Sequence, residues 1–290
     1  MILSMTGYGS AENKLNTTTY TVEIRSLNSA KGFDLMLKNP SKFKSLEMNW
    51  RNQVNEKLQR GKIDVSVNFK SDESIALMSL DKLEASYREI EKVANTLQAD
   101  KTGLLASLLP MLSGMDTDAN GATEDEMNII QALIEKACND LHNFRIKEGA
   151  TIAADIHQKI DNIQKLLNQT KEQDKNRLAS IKSKIEDRMA QFIPSESIDT
   201  NRLEQEIIFY LEKMDINEEI SRLSAHILYC KETMNSDENI LGRKLNFIAQ
   251  EMGREINTIG SKANDVDIQK LVVGMKDELE KIKEQTNNVL

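Results

Sequence analysis

The sequence predicts an α+β protein: a small four-stranded α+β domain at the N-terminus, then a mainly helical region with a long antiparallel helical hairpin, then a C-terminal helical domain. Three observations carry this. Apolar and polar residues alternate with period two only in the first seventy or so positions, which is the pattern of half-buried strands. From Leu80 onward apolar residues return every three or four positions, the period of a helix that buries one stripe. Between Glu124 and Phe192 that period is almost unbroken, well past the roughly 25 residues of an ordinary capped helix. The implied domains are residues 1–75 (basic, α+β), 76–200 (helical linker and long coiled-coil-like helix) and 201–290 (helical).

Taken in order, Leu3–Gly9, Thr18–Leu27 and Phe33–Lys38 alternate as strands, and Pro40 ends the third. Ser41 is placed to cap a helix reaching Leu58, with Phe43, Leu46, Trp50, Val54 and Leu58 facing inward. Arg60, Gly61 and Lys62 turn the chain into a last strand, Ile63–Phe69. So small a unit needs a following segment or a neighbouring subunit to complete its core. A helix over Leu80–Leu97 follows, and a Gly-, Asp- and Asn-rich stretch near Ser113–Thr123 reads as a loop or hinge. The long helical period then runs through Ile130, Ile134, Leu141, Ile152, Ile156, Ile160, Ile163 and Leu167 to Met189, and Pro194 ends it. Arg202–Lys231 reads as its return arm.

Composition bounds the function. No run approaches the roughly 18 apolar residues of a membrane span, the longest candidate, Leu104–Leu112, being short and broken by Pro110. No basic-then-apolar leader opens the chain, so a cytoplasmic protein with no membrane partner is expected. Cys138 and Cys230 sit on apolar stretches of expected helices and read as reduced core thiols. Walker, dinucleotide, CxxC and HExxH patterns are absent. The net charge of −8 is unevenly spread: residues 1–70 hold 11 Lys and Arg against 6 Asp and Glu, and residues 201–290 hold 12 against 17. A basic N-terminal face beside an acidic C-terminal end suits a polyanion at one and cations at the other, although a balance of this size is also an ordinary solvated surface.

The chemistry concentrates near the C-terminus. In the expected Arg202–Lys231 helix, Asp215, Glu219, Arg222 and His226 fall at steps of four, three and four, on one line beside the apolar stripe Leu203, Ile207, Leu211, Met214, Ile220, Leu223 and Ile227. In the next, Leu241, Leu245, Ile248, Met252, Ile256 and Ile259 form the stripe and Glu251 and Glu255 flank it. Two carboxylates four apart repel by roughly 0.2–0.5 kcal/mol, which a cation or a shared proton relieves. Gly260 is expected to stop this helix, with Gly260–Ala263 as a tight turn and Asn264 capping the next, Asp267 completing a capping box. Such a turn beside Lys262 can approach a phosphate, and it reads equally as an ordinary helix corner complemented by Asp265 and Asp267. If the two helices pack antiparallel, Asp215, Glu219 and His226 face Glu251 and Glu255. Oxygen-rich and holding one imidazole, that set suits Mg or Mn over Zn. A lone histidine is more often packed than ligating, and Glu219 with Arg222 can be a plain surface pair.

These residues resemble the YicC/YloC family of bacterial endoribonucleases. The C-terminal resemblance runs through RLEQEI (Arg202–Ile207), KMDINEEISRLSAHI (Lys213–Ile227), GRKLNFIAQEMGREINTIGSKAND (Gly242–Asp265) and LVVGMKDELEKIKEQTNNV (Leu271–Val289). MTGYG (Met5–Gly9), EIRSLNS (Glu23–Ser29), FDLMLKNP (Phe33–Pro40) and RGKIDVSV (Arg60–Val67) carry it at the N-terminus, and FRIKEGATI (Phe144–Ile152) in the middle. The chain departs from the family at Asn246, where many members carry an acid, and at Ala30, Lys31 and Gly32 after SLNS, where an aromatic or basic pair is common. The resemblance implies a cytoplasmic, divalent-metal-dependent enzyme that cuts RNA, built as a ring-like homo-oligomer, a hexamer, that closes around its substrate.

On that reading Glu251, Glu255 and His226, aided by Asp215 or Glu219, hold Mn or Mg to activate water. Arg222, Arg243, Arg254 and Lys262 neutralise phosphate, and Arg202, Arg60, Lys62 and Asn28 complete the expected RNA contacts. A second chemistry uses the RNA's own 2′-hydroxyl, with His226 or a glutamate taking its proton. Metal-activated water leaves linear ends and internal attack a 2′,3′-cyclic phosphate. The alternative from another class is a non-catalytic RNA-binding adaptor that recruits a separate ribonuclease.

Overall fold

The computed structural model describes residues 1–29, 32–58, 60–71, 80–97, 102–103, 122–192, 200–236 and 241–290. Most of the loop expected near Ser113–Thr123, the Leu104–Leu112 run, Ala30, Lys31 and Pro194 lie outside the described residues. No helix among the described residues is long and apolar enough to cross a membrane. The chain divides into two compact units, Gly7–Phe144 on the one hand and Met1–Thr6 with Arg145–Leu290 on the other.

The first unit is a four-stranded sheet covered on one face by helices. Its strands are β1 (Gly7–Leu15), β2 (Thr18–Leu27), β3 (Phe33–Lys38) and β4 (Gly61–Ser71), in the order β1-β2-β4-β3. β2 is antiparallel to β1 and β4, whereas β3 runs parallel to β4. Parallel neighbours need a crossover, and here a 3-10 turn (Ser41–Leu46) and helix α1 (Glu47–Leu58) supply it. Helix α2 (Leu80–Leu97) and the start of α3 (Glu124–Phe192) complete the unit. Val22 and Ile24 of β2 and Ile63, Val65 and Val67 of β4 point inward onto Phe43, Trp50, Val54 and the α3 residues Ile130, Ile134, Ala137 and Leu141. Gly9 lets β1 lie against α3, since a Cβ there would overlap the carbonyl of Ala137.

The first strand lies later than expected, at Gly7–Leu15 rather than Leu3–Gly9. β1 is a sheet edge, half exposed, so its polar SAENKL segment carries little apolar signal. Its position is set by the tight turn into β2, where Asn16 takes a left-handed φ of 54°. Residues ahead of it belong to the second unit: the Ser4 N–H donates to the Arg145 carbonyl at 3.1 Å, the Met5 N–H to Asn288 at 2.7 Å, and the Leu290 N–H to Leu3 at 3.0 Å.

Besides the rest of α3, the second unit holds α4 (Thr200–Met214), α5 (Asn217–Met234), α6 (Leu241–Ala263) and α7 (Val266–Thr286). Ile156, Ile160, Ile163 and Leu167 of α3 share one core with Leu223 and Ile227 of α5, Leu245, Met252 and Ile256 of α6, and Val272, Met275 and Leu279 of α7. Two expectations are corrected. The Arg202–Lys231 helix is broken at Asp215–Ile216, where Ile216 leaves helical geometry and the Asp215 carboxylate accepts from the Asn217 N–H at 2.9 Å. Gly260 does not end α6 but lies buried inside it, close to Val272. Asn264 supplies the left-handed φ of 43° that ends the helix, and Asp265, not Asn264, caps α7, accepting from the Asp267 and Ile268 N–H groups at 3.0 Å.

Candidate functional site on the α5 and α6 hairpin

Helices α5 and α6 pack side by side as an antiparallel pair, and two contacts fix their level. Near one end the Lys262 ammonium donates to Glu219 Oε1 at 2.7 Å. Toward the other, the Lys244 ammonium lies over the Tyr229 ring, 5.3 Å from its centre. On α6, Lys244, Glu251, Glu255 and Lys262 are separated by seven, four and seven residues, so they share one line of the helix. On α5, Glu219, Arg222, His226 and Tyr229 are separated by three, four and three and share another. Because both ends of each line touch the other helix, the lines border the same seam. His226, Glu251 and Glu255, all half-buried, sit between the two tie points.

Charge along this seam is already partly paired. Glu219 is 5% exposed; Lys262 takes one of its oxygens, and Oε2 is buried without a hydrogen-bond partner. Glu251 meets the exposed Arg254 at 3.1 Å, and Arg222 meets Glu218 at 2.6 Å in solvent. Asp215, in the break before α5, accepts from the Asn217 N–H and side-chain amide. Among the described residues no three of the His, Cys, Asp and Glu side chains gather closely enough to hold a metal ion. Burial pushes the Cys230 thiol up to about 11, so it stays protonated and unreactive at neutral pH.

The remaining expected contacts are spread more widely. Arg243 is exposed in the first turn of α6, and Arg202 is exposed near the start of α4. Asn28, Arg60 and Lys62 belong to the first unit, where the pairing of Leu27 with Lys62 brings them to one end of the β2/β4 ladder.

Arg177 carries no signal in the sequence. Nearly fully buried on α3, it donates from Nε to Asp174 at 2.6 Å, from Nη1 to the Ala263 carbonyl at 2.7 Å and from Nη2 to the Met214 carbonyl at 2.7 Å. It therefore ties the C-terminal ends of α6 and α4 together and neutralises their carbonyl charge. An i,i+3 Asp–Arg pair on a long helix reads as a solvated face, which is why spacing alone does not reveal it.

Residues 2–154 match the family model described as "Endoribonuclease YicC-like, N-terminal region" and residues 170–290 the one described as "Endoribonuclease YicC-like, C-terminal". A Clostridioides difficile protein named "Probable endoribonuclease YicC" is 32% identical, and a Haemophilus influenzae protein of the same name is 29% identical. Both alignments span the whole of each chain.

Proposed function

The chain belongs to the YicC-like endoribonuclease family, and on that premise we propose that it is a metal-dependent endoribonuclease, cytoplasmic, acting on RNA as a ring-like hexamer that encloses its substrate. The observation that supports this best is the seam on which the Glu251 and Glu255 carboxylates and the His226 imidazole lie between two tie points of one helix pair, one of them made by the Lys262 ammonium.

Glu251 and Glu255 are the pair for a hard cation. Mg²⁺ is usually held through one or two carboxylates and keeps water and substrate phosphate as its other ligands, so a larger protein cage is not needed. Glu219 and Asp215 are each already engaged through one oxygen, with Lys262 and Asn217. When bound, the ion supplies a more acidic water and charge neutralisation at the phosphate. The chain's own groups do the rest. Lys262, with donors beyond the one given to Glu219, Arg254 and Arg243 hold phosphate oxygens, and Arg222 can turn from Glu218 toward the strand. The His226 imidazole, which makes no hydrogen bond among the described residues, would take or return a proton.

The test uses purified protein and end-labelled RNA, with and without chelator, for the parent and for Glu251→Gln with Glu255→Gln. Cleavage that stops with chelator, falls at least about 100-fold in the double variant and leaves linear ends supports the reading. A 2′,3′-cyclic phosphate in the products overturns the metal-water chemistry in favour of internal attack. The already paired state of Glu219 and Glu251 favours the adaptor as second reading; RNA bound and left intact under every condition would establish it.

A further inference from the structure

We propose that the face of the first unit's sheet that no described helix covers is a docking site for a single-stranded RNA segment, one nucleotide of which sits in a cleft floored by Asp64. The proposal rests on the ribonuclease reading for its ligand, but on separate residues. Alternation sends Val22, Ile24, Ile63 and Val65 into the core and leaves their neighbours on the other side. The register there forms a row across all four strands: Tyr8 opposite Arg25, Arg25 opposite Asp64, and Asp64 opposite Met36. One step along, Glu23 and Lys38 both face Ser66. With strands about 4.8 Å apart, each row is long enough for a nucleotide to lie across it.

These side chains differ in height. Arg25 is 64% exposed, its guanidinium 5.8 Å from the centre of the Tyr8 ring, and Met36 and Lys38 are exposed too. Asp64 is recessed, with Oδ1 buried and without a hydrogen-bond partner. Glu23 already meets Arg25 at 3.3 Å. Between them is an open cleft of about 240 Å³ lined by Glu23, Arg25, Met36, Lys38, Asp64 and Ser66, among others.

Cations at the rim and an unsatisfied acceptor in the floor do not match a bare polyanion, which would meet Asp64 with repulsion. They match a unit that carries an anion at one end and a hydroxyl donor at the other. In a ribonucleotide the phosphate meets Arg25 and Lys38, the 2′-hydroxyl donates to the Asp64 carboxylate, and the base lies against Met36, while Tyr8, two strands beyond Asp64, offers its ring to the next base. The cleft is smaller than the roughly 300–1,000 Å³ of an enclosed small-molecule pocket and open at the side, as a continuous strand requires.

The experiment measures fluorescence anisotropy of labelled single-stranded RNA, and of DNA of the same sequence, with the full-length protein in chelator, a denaturing gel verifying that the RNA is intact. Arg25→Ala with Lys38→Ala should weaken binding roughly tenfold and flatten its salt dependence, because about two phosphates are then left without a cation. Tyr8→Ala should weaken RNA and DNA alike. Asp64→Ala should reduce the preference for RNA over DNA, and Asp64→Asn, which keeps an acceptor, should restore it. Parent-like affinity in the Arg25/Lys38 variant overturns the proposal, and so does a change of sedimentation without loss of affinity, which would mean that a second copy of the chain covers this face. Failure of the nuclease reading is told apart by the gel without chelator: RNA then stays uncut although the face still binds it.

Discussion

Glu126 is a buried charge whose contribution to stability can be followed with pH. Its side chain is 11% exposed and accepts from Lys42 at 2.8 Å, from the Tyr20 hydroxyl at 2.5 Å and, through its second oxygen, from the Thr123 N–H at 2.9 Å. Burial by itself would raise its pKa; the hydrogen bonds from Lys42, Tyr20 and Thr123 and the Lys42 charge outweigh it and hold the carboxyl near 2, against an ordinary 4.5. A depressed carboxylate stabilises the fold above its unfolded value and loses that contribution as pH falls toward its folded one. The contribution is therefore complete above about pH 5, is worth roughly 3 kcal/mol there, and disappears toward pH 2. Trp50, the single tryptophan, is buried in the same core, so its fluorescence in urea reports this unit. Glu126→Gln should lower the unfolding free energy by about 2–3 kcal/mol at pH 7, and the gap to the parent should close on acidification below about pH 4.5. Parallel curves, with the gap unchanged at pH 3, would refute the argument.

Other substitutions test other links. Gly9→Ala should push β1 off α3 at the Ala137 carbonyl and cost about 1–3 kcal/mol in the same Trp50 assay. Lys262→Ala strands the buried Glu219 carboxylate and should cost about 3–5 kcal/mol, seen in thermal melts, whereas Glu219→Gln with Lys262→Met should recover most of it. Arg177→Ala removes two carbonyl hydrogen bonds and leaves Asp174 buried without its partner. It should cost at least about 3 kcal/mol and speed amide exchange at the ends of α4 and α6.

Much of the architecture is legible in sequence because it follows from short-range periodicity. β2, β3, α2 and α3 begin and end as expected, each having an apolar stripe of clear period and a turn residue or proline nearby. β1 lies away from its expected position because an edge strand needs little apolar surface. Gly260 and Asn264 exchange expected roles because a glycine on a packed stripe serves close helix contact as readily as a helix stop, and only the neighbour, Val272, distinguishes them. At the candidate site the residue types and the line of Glu251 and Glu255 are readable, as is the antiparallel partner helix. Their ion pairs are not, because whether Lys262 reaches phosphate or Glu219 depends on which group a flexible side chain meets across a helix pair.

The sequence by itself therefore determined most of the elements and the faces they bury, since hydrophobic period is a property of neighbours along the chain. Tertiary structure alone decided that residues 1–6 pair with the last residues rather than with the sheet, that Arg177 joins two helix ends, and that Tyr8, Arg25, Asp64 and Met36 form one row. Each depends on register or on a hydrogen bond between positions far apart in sequence, where closing a long loop costs little more than closing a short one and composition cannot say which partner wins.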